Sequence, residues 1–162
     1  MNGVDYVLDE SKPSQIIKKQ ADLRTMDCYL DNYFDLILAI SVIEHVGYDN
    51  SVYFEEGGFS KDFDGDLKAM SNLMKVLKSG GRIVVTVPYG RKVDYGWFVH
   101  YDKCHLDRLV ELDGLKLLKK DLFIYKDGGW SDSCDEDLVD VCYKDNDAPA
   151  ASGLACLLLQ KI

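Results

Sequence analysis

Phe34–Gly47 reads F-D-L-I-L-A-I-S-V-I-E-H-V-G, and this stretch decides how the rest of the chain is understood. Leu36 to Ile40 is a short, nearly unbroken apolar run. Runs of this length predict a strand buried on both faces, as in a parallel sheet covered by helices. Asp35 stands just before the run, while Ser41, Glu44 and His45 follow it. Open α/β sheets bind ligands beyond the carboxyl ends of their strands, so Ser41 to His45 lie where a site is expected.

Working outward from that strand, Val4–Leu8 and Ile16–Lys19 predict two earlier strands, separated by a turn at Ser11-Lys12-Pro13. Gly47 to Gly65 is long, aromatic and without period, as functional loops are. Asp66 is the expected N-cap of a helix whose apolar face is Leu67, Met70, Leu73, Met74 and Leu77. Lys78 falls in its last turn, and Gly80-Gly81 is the expected stop. Ile83–Val87 is the next strand, closed by Pro88.

Tyr89–Tyr101 reads as irregular, and Asp102 opens a short helix with Leu106, Leu109 and Val110 on its apolar face. Leu115–Leu118 and Leu122–Tyr125 form one strand, bent at Lys119-Lys120-Asp121. Gly128-Gly129-Trp130 is a turn, Glu136–Tyr143 a short helix and Leu154–Gln160 a final strand. One domain over residues 1–162 follows, with no internal repeat.

The chain carries a formal net charge of −9, which argues against a nucleic-acid or acidic-membrane partner. No apolar run approaches the roughly 20 residues that span a bilayer. The N-terminus lacks the basic start and apolar core of a signal peptide. Five irregularly spaced cysteines do not make a disulfide framework, so a reducing, cytoplasmic setting is expected.

F-D-L-I-L-A-I-S-V-I-E-H-V resembles the fourth motif of class I S-adenosylmethionine-dependent methyltransferases. About forty residues later, L-M-K-V-L-K-S-G-G-R-I-V-V-T-V-P (Leu73–Pro88) is similar to that superfamily's "vLKPGG" strand entry. The two matches occur in order, and the resemblance covers roughly residues 4 to 125. It implies an α/β fold: a Rossmann-like, mostly parallel sheet with an antiparallel C-terminal hairpin. It also implies S-adenosylmethionine as cofactor and methyl transfer to a small-molecule or sugar-like acceptor by in-line displacement.

Residue roles follow from the same resemblance. Asp9 matches the acidic residue that holds the ribose, with Glu10 sharing the match and Asp5 as fallback. Each is equally a solvated turn carboxylate. Asp22 and Leu23 match the adenine end, where an acceptor meets the exocyclic amine. Ile40 and Ser41 match the lining of the methyl-transfer corridor. Ser41 and Glu44 also fit a capping box, which is the plainer reading.

His45 is a candidate general base or a structural hydrogen-bonder, because transfer from a sulfonium depends mostly on alignment. Tyr89, Trp97 and His100 are candidate substrate contacts, or parts of an aromatic lid. Cys104-His105 finds no second pair at zinc spacing, so no metal site is expected.

The superfamily's first motif, a strand ending in G-x-G-x-G, has no match in these residues. The expected fold therefore lacks its first strand and helix. A truncated start, a protein split between two chains and a domain that has lost its cofactor site all explain this. The last makes the chain a non-catalytic binding or assembly module. In every case the neighbouring strand has an open edge, which invites a homodimer or a completing partner chain. A different nucleotide-binding α/β protein is a weaker reading, since no G-x-x-x-x-G-K-[ST] loop occurs.

Overall fold

The computed structural model describes residues 2–5, 17–51 and 61–162. Asp9, Glu10, the Ser11-Lys12-Pro13 turn and the middle of the long loop lie outside the described residues. The first two strands, β1 (Asn2–Asp5) and β2 (Ile17–Gln20), pair in parallel as a two-stranded sheet. The main sheet has five strands: β3 (Phe34–Ile40), β4 (Leu77–Pro88), β7 (Leu115–Lys126), β8 (Gly129–Asp132) and β9 (Gly153–Lys161). Their order is β3-β4-β9-β7-β8. β3 and β4 are parallel; β9 inserts antiparallel between β4 and β7, and β8 closes as a hairpin on β7. The two closing strands thus form the expected antiparallel edge, one strand wider than the sequence indicates.

Helix α1 (Gly65–Val76) presents Ala69, Met70, Leu73 and Val76 to the core, and α2 (Lys103–Val110) presents Leu106 and Leu109. Both pack in one cluster with Ile83, Val85 and Val87 of β4 and Ala155, Leu157 and Leu159 of β9. Asp102 caps α2 as expected, its side chain accepting from the His105 N–H at 2.8 Å. β7 is one strand as expected, but Lys119-Lys120-Asp121 pair regularly with β9 and the irregularity precedes them, a register slip between Leu117 and Lys119 that is a bulge.

Several expectations are corrected. Asp66 is not the N-cap of α1; Asp64 holds that position, and Asp66 lies buried in the first turn. Lys78 and Gly80-Gly81 do not end α1 but belong to β4. Phe34 pairs with Leu77 and Leu36 with Arg82, so four residues of β4 stand opposite Asp35 alone. Gly80 takes φ +77°, the left-handed conformation that glycine supplies at least cost in this bulge. Lys78 turns back to pair with Asp35 at 2.8 Å.

Ser41 and Glu44 form no capping box. The 3₁₀ turn Ile43–His45 has Val42 at its cap and no side-chain capping bond. Residues 89–101 contain a small hairpin, β5 (Val93–Asp94) with β6 (Val99–His100). The turn at Gly128-Gly129-Trp130 opens directly into β8, and the helix expected over Glu136–Tyr143 is α3, Asp135–Leu138.

The largest correction concerns β3, which is buried on one face only. Ala39 is 4 % exposed, whereas Leu36, Leu38 and Ile40 are 53 %, 60 % and 52 % exposed. Alternate strand residues point to opposite faces, and helices α1 and α2 cover only the Ala39 side. Among the described residues, β3 is also the edge strand of the main sheet. No helix among the described residues is long and apolar enough to cross a membrane.

Candidate functional site

The carboxyl ends of β3 and β4 lie side by side, with Ile40 paired to Thr86. Ser41 leaves the strand at φ +50°, and its N–H donates to the Thr86 carbonyl at 3.1 Å and the Thr86 hydroxyl at 3.0 Å. That pair of bonds fixes the strand tip while the Ser41 side chain stays exposed. The chain then turns under itself through Ile43–His45 and buries Glu44.

Glu44 is 3 % exposed, and its Oε2 meets no hydrogen-bond partner among the described residues. Burial pushes its carboxyl up to about 8, so Glu44 is largely protonated at neutral pH. Its Oε1 lies 3.9 Å from Nε2 of His45. The His45 Nδ1 lies 3.0 Å from the Trp97 carbonyl. A carbonyl only accepts, so Nδ1 carries the hydrogen and Nε2 keeps a lone pair. Burial also lowers the His45 pKa, which keeps the ring neutral. The His45 ring sits in an aromatic group, 5.2 Å from Trp97 and 5.8 Å from Phe98 between centroids.

Beneath the turn, the Tyr101 hydroxyl donates to Asp66 Oδ2 at 2.7 Å, and the Leu67 N–H donates to Asp66 Oδ1 at 2.7 Å. Burial, with the nearby Asp66 and Glu44 charges, raises the Tyr101 phenol well above its ordinary value. Glu44, Asp66 and Tyr101 thus form a polar group inside an apolar core. In the sequence, Glu44 stood out beside the strand tip and as half of a capping box, and Asp66 only as a helix cap.

The remaining candidates separate. Tyr89 is 2 % exposed, and its hydroxyl donates to Asp135 Oδ1. Trp97 lies against His45, but His100 is fully buried. The His100 Nδ1 donates to the Arg91 carbonyl at 2.8 Å, and its Nε2 is buried without a hydrogen-bond partner among the described residues. His100 therefore holds the loop rather than facing a ligand.

Asp22 is engaged by Arg24: its Oδ1 accepts from the Arg24 backbone N–H at 2.8 Å and from Nε at 3.1 Å. Its Oδ2 accepts from Nε at 3.0 Å and Nη2 at 2.6 Å. Burial opposes ionisation, but these Arg24 bonds outweigh it and hold the carboxyl below its usual range. The Leu23 carbonyl accepts from Asn72 Nδ2 at 3.1 Å, tying this turn to α1. No cluster of three or more His, Cys, Asp or Glu among the described residues is arranged to hold a metal.

A second feature opens beyond β4. Tyr89, Arg91, Lys92, Asp102, Lys103 and Asp135 line most of a cleft of about 320 Å³. Apart from Tyr89, this cleft was not legible as a site in the sequence. Its charged residues come from three separate segments.

No protein-family model matches the chain, and no curated protein sequence matches it. Solved structures do. One is 1,6-didemethyltoxoflavin-N1-methyltransferase of Burkholderia thailandensis, solved with bound 1,6-didemethyltoxoflavin and S-adenosylhomocysteine. It matches at TM-score 0.61 and 10 % identity, over 99 % of this chain and 60 % of that one. A S-adenosylmethionine-dependent methyltransferase of Methanosarcina mazei matches at TM-score 0.61 and 11 % identity, over 99 % and 81 %. The [4+2]-cyclase SpnF matches at TM-score 0.53 and 15 % identity, over 91 % and 56 %. The chain thus spans about 60 % of the length of the first and less of the last. The fold is that of the class I S-adenosylmethionine-dependent methyltransferases. SpnF carries the same fold as a cyclase, so the fold alone does not dictate the reaction.

Proposed function

We propose that this chain is a S-adenosylmethionine-dependent methyltransferase domain acting on a small-molecule or sugar-like acceptor. The observation that carries the reading is the strand tip. In a methyltransferase fold, Ile40 and Ser41 sit exposed at the carboxyl end of β3, and a neutral His45 with a basic Nε2 stands four residues on. The residues fit the cofactor in part. Ile40 and Ser41 are open to hold it, whereas the Asp22 carboxylate already accepts three N–H groups of Arg24. Leu23 remains the candidate for the adenine end, and Asp9 for the ribose. The bound cofactor would supply an electrophilic methyl on a sulfonium. His45 would accept the proton of an oxygen or nitrogen nucleophile, and Trp97 would keep its ring in place.

Calorimetric titration with S-adenosylhomocysteine tests this reading. Saturable micromolar binding is expected, weakened by Ser41→Trp. No heat at millimolar ligand would overturn it. That outcome would leave the second reading, a non-catalytic binding or assembly module, which the committed Asp22 favours.

We also infer that an added strand and its helix, from a partner chain, cover the open edge of β3. Edge pairing with a second copy alone would leave Leu36, Leu38 and Ile40 bare, whereas a strand with a helix covers both edge and face. Strong binding of an apolar dye by the isolated chain, with self-association in light scattering, is the expected result. A dye-silent monomer would count against it.

A further inference from the structure

We propose that the cleft at the end of β4 binds an anionic small molecule through a carboxylate or phosphate group. The proposal stands whether or not the chain transfers methyl groups. Its basis is a mismatch between the cleft's cations and its anions. Arg91, Lys92 and Lys103 line it together with Asp102 and Asp135, around about 320 Å³, a volume suited to a small ligand.

Both anions already accept hydrogen bonds from other groups. Asp102 accepts from the His105 N–H at 2.8 Å and from His105 Nδ1 at 3.1 Å. Asp135 accepts from the Tyr89 hydroxyl and from Lys120 Nζ at 2.8 Å. Lys103 is paired with Asp107. Arg91 and Lys92 make no ion pair among the described residues, though Lys92 feels the charges of Asp94 and Asp102. A guanidinium and an ammonium are therefore available in a chain whose net charge is −9. Two adjacent cations on one wall recognise a carboxylate or a phosphate, the arginine in bidentate fashion.

The backbone holds this wall still. The Arg91 N–H donates to the Val141 carbonyl at 2.8 Å, and its carbonyl accepts from the buried His100 at 2.8 Å. Gly90 passes so close to the 138–141 segment that a Cβ there would meet the Val141 carbonyl at 2.3 Å. The guanidinium thus springs from a fixed point, which limits the entropy lost on binding. The first turn of α2 also lines the cleft through Lys103 and Cys104, with its N-terminus already capped by Asp102.

The test uses the intact chain in nuclear magnetic resonance titrations, one with inorganic phosphate and one with succinate, at constant ionic strength. Saturable shifts are expected at the amides of Gly90, Arg91, Lys92 and Cys104. The double substitution Arg91→Gln with Lys92→Gln should weaken binding at least tenfold, while Lys116→Gln, an exposed lysine on β7, should leave it unchanged. Saturation by phosphate alone, or by succinate alone, would support the site and assign it to that group. Linear shifts, or equal binding by the double variant with its circular dichroism unaltered, would overturn the proposal. Titration with S-adenosylhomocysteine reads a different set of residues, so the two proposals fail separately.

Discussion

The two faces of the main sheet are made from similar residues and live in different surroundings. On one face Ile83, Val85, Val87, Ala155, Leu157 and Leu159 are fully buried beneath α1 and α2. On the other, Leu36, Leu38 and Ile40 of β3 stand more than half exposed, in register with Arg82, Val84 and Thr86 of β4. Composition does not separate them, since both are rich in leucine, isoleucine and valine. What separates them is the presence of a covering layer on one side. Parallel strands need that layer on both sides to remove their apolar surface from water. The bare face is where the partner strand and helix proposed above would pack, whereas the covered face is a core.

The sharpest test places the same charge on each face. Ile83→Asp buries an unpaired carboxylate in the covered layer and should leave no folded protein, a loss above about 4 kcal/mol. Leu38→Asp should leave the circular dichroism and the urea midpoint nearly unchanged. Equal damage from the two would mean that the exposed face is covered after all.

The polar group inside the covered layer should come next in size. The folded Glu44 carboxyl titrates near 8 and the ordinary value is 4.5, so the fold favours the protonated form. Its contribution is complete below pH 4.5 and is lost as pH rises to about 8, amounting to a few kcal/mol. Thermal unfolding should show a falling Tm across that window. Glu44→Gln should flatten the pH dependence and be the more stable protein at pH 8. A wild-type Tm that rises from pH 5 to pH 8 would exclude a buried neutral Glu44.

Tyr101→Phe should cost about 1–3 kcal/mol by urea denaturation, because Asp66 Oδ2 loses its buried donor. The smallest stability effect belongs to the bare face. Replacing Leu36, Leu38 and Ile40 with threonine should shift stability by only about 0.5 kcal/mol per site while abolishing apolar-dye binding. Dye binding that survives the triple change would locate the exposed apolar surface elsewhere.

Much of this architecture was readable from local pattern. The apolar run at Leu36–Ile40, the period of α1 and the Asp102 cap each express themselves within a few residues. The failures also have local causes. Gly80-Gly81 looks like a helix stop because glycine suits both a helix end and a strand bulge, and only the pairing of Phe34 with Leu77 decides between them. Ser41-x-x-Glu44 has the letters of a capping box. Ser41 instead takes positive φ and spends its N–H on Thr86, forty-five residues away.

The same division holds for the sites. By itself the sequence determined the strand with Glu44 and His45 at its end, because apolar periodicity and short motifs are properties of neighbouring residues. Tertiary structure alone decided that Glu44 buries one carboxyl oxygen without a hydrogen-bond partner among the described residues, that Asp22 is engaged by Arg24 and that His100 is sealed in the core. It alone brought Arg91 and Lys92 into one cleft with Lys103. Burial, pairing and charge balance depend on which distant segments meet, and no local pattern in the chain encodes those meetings.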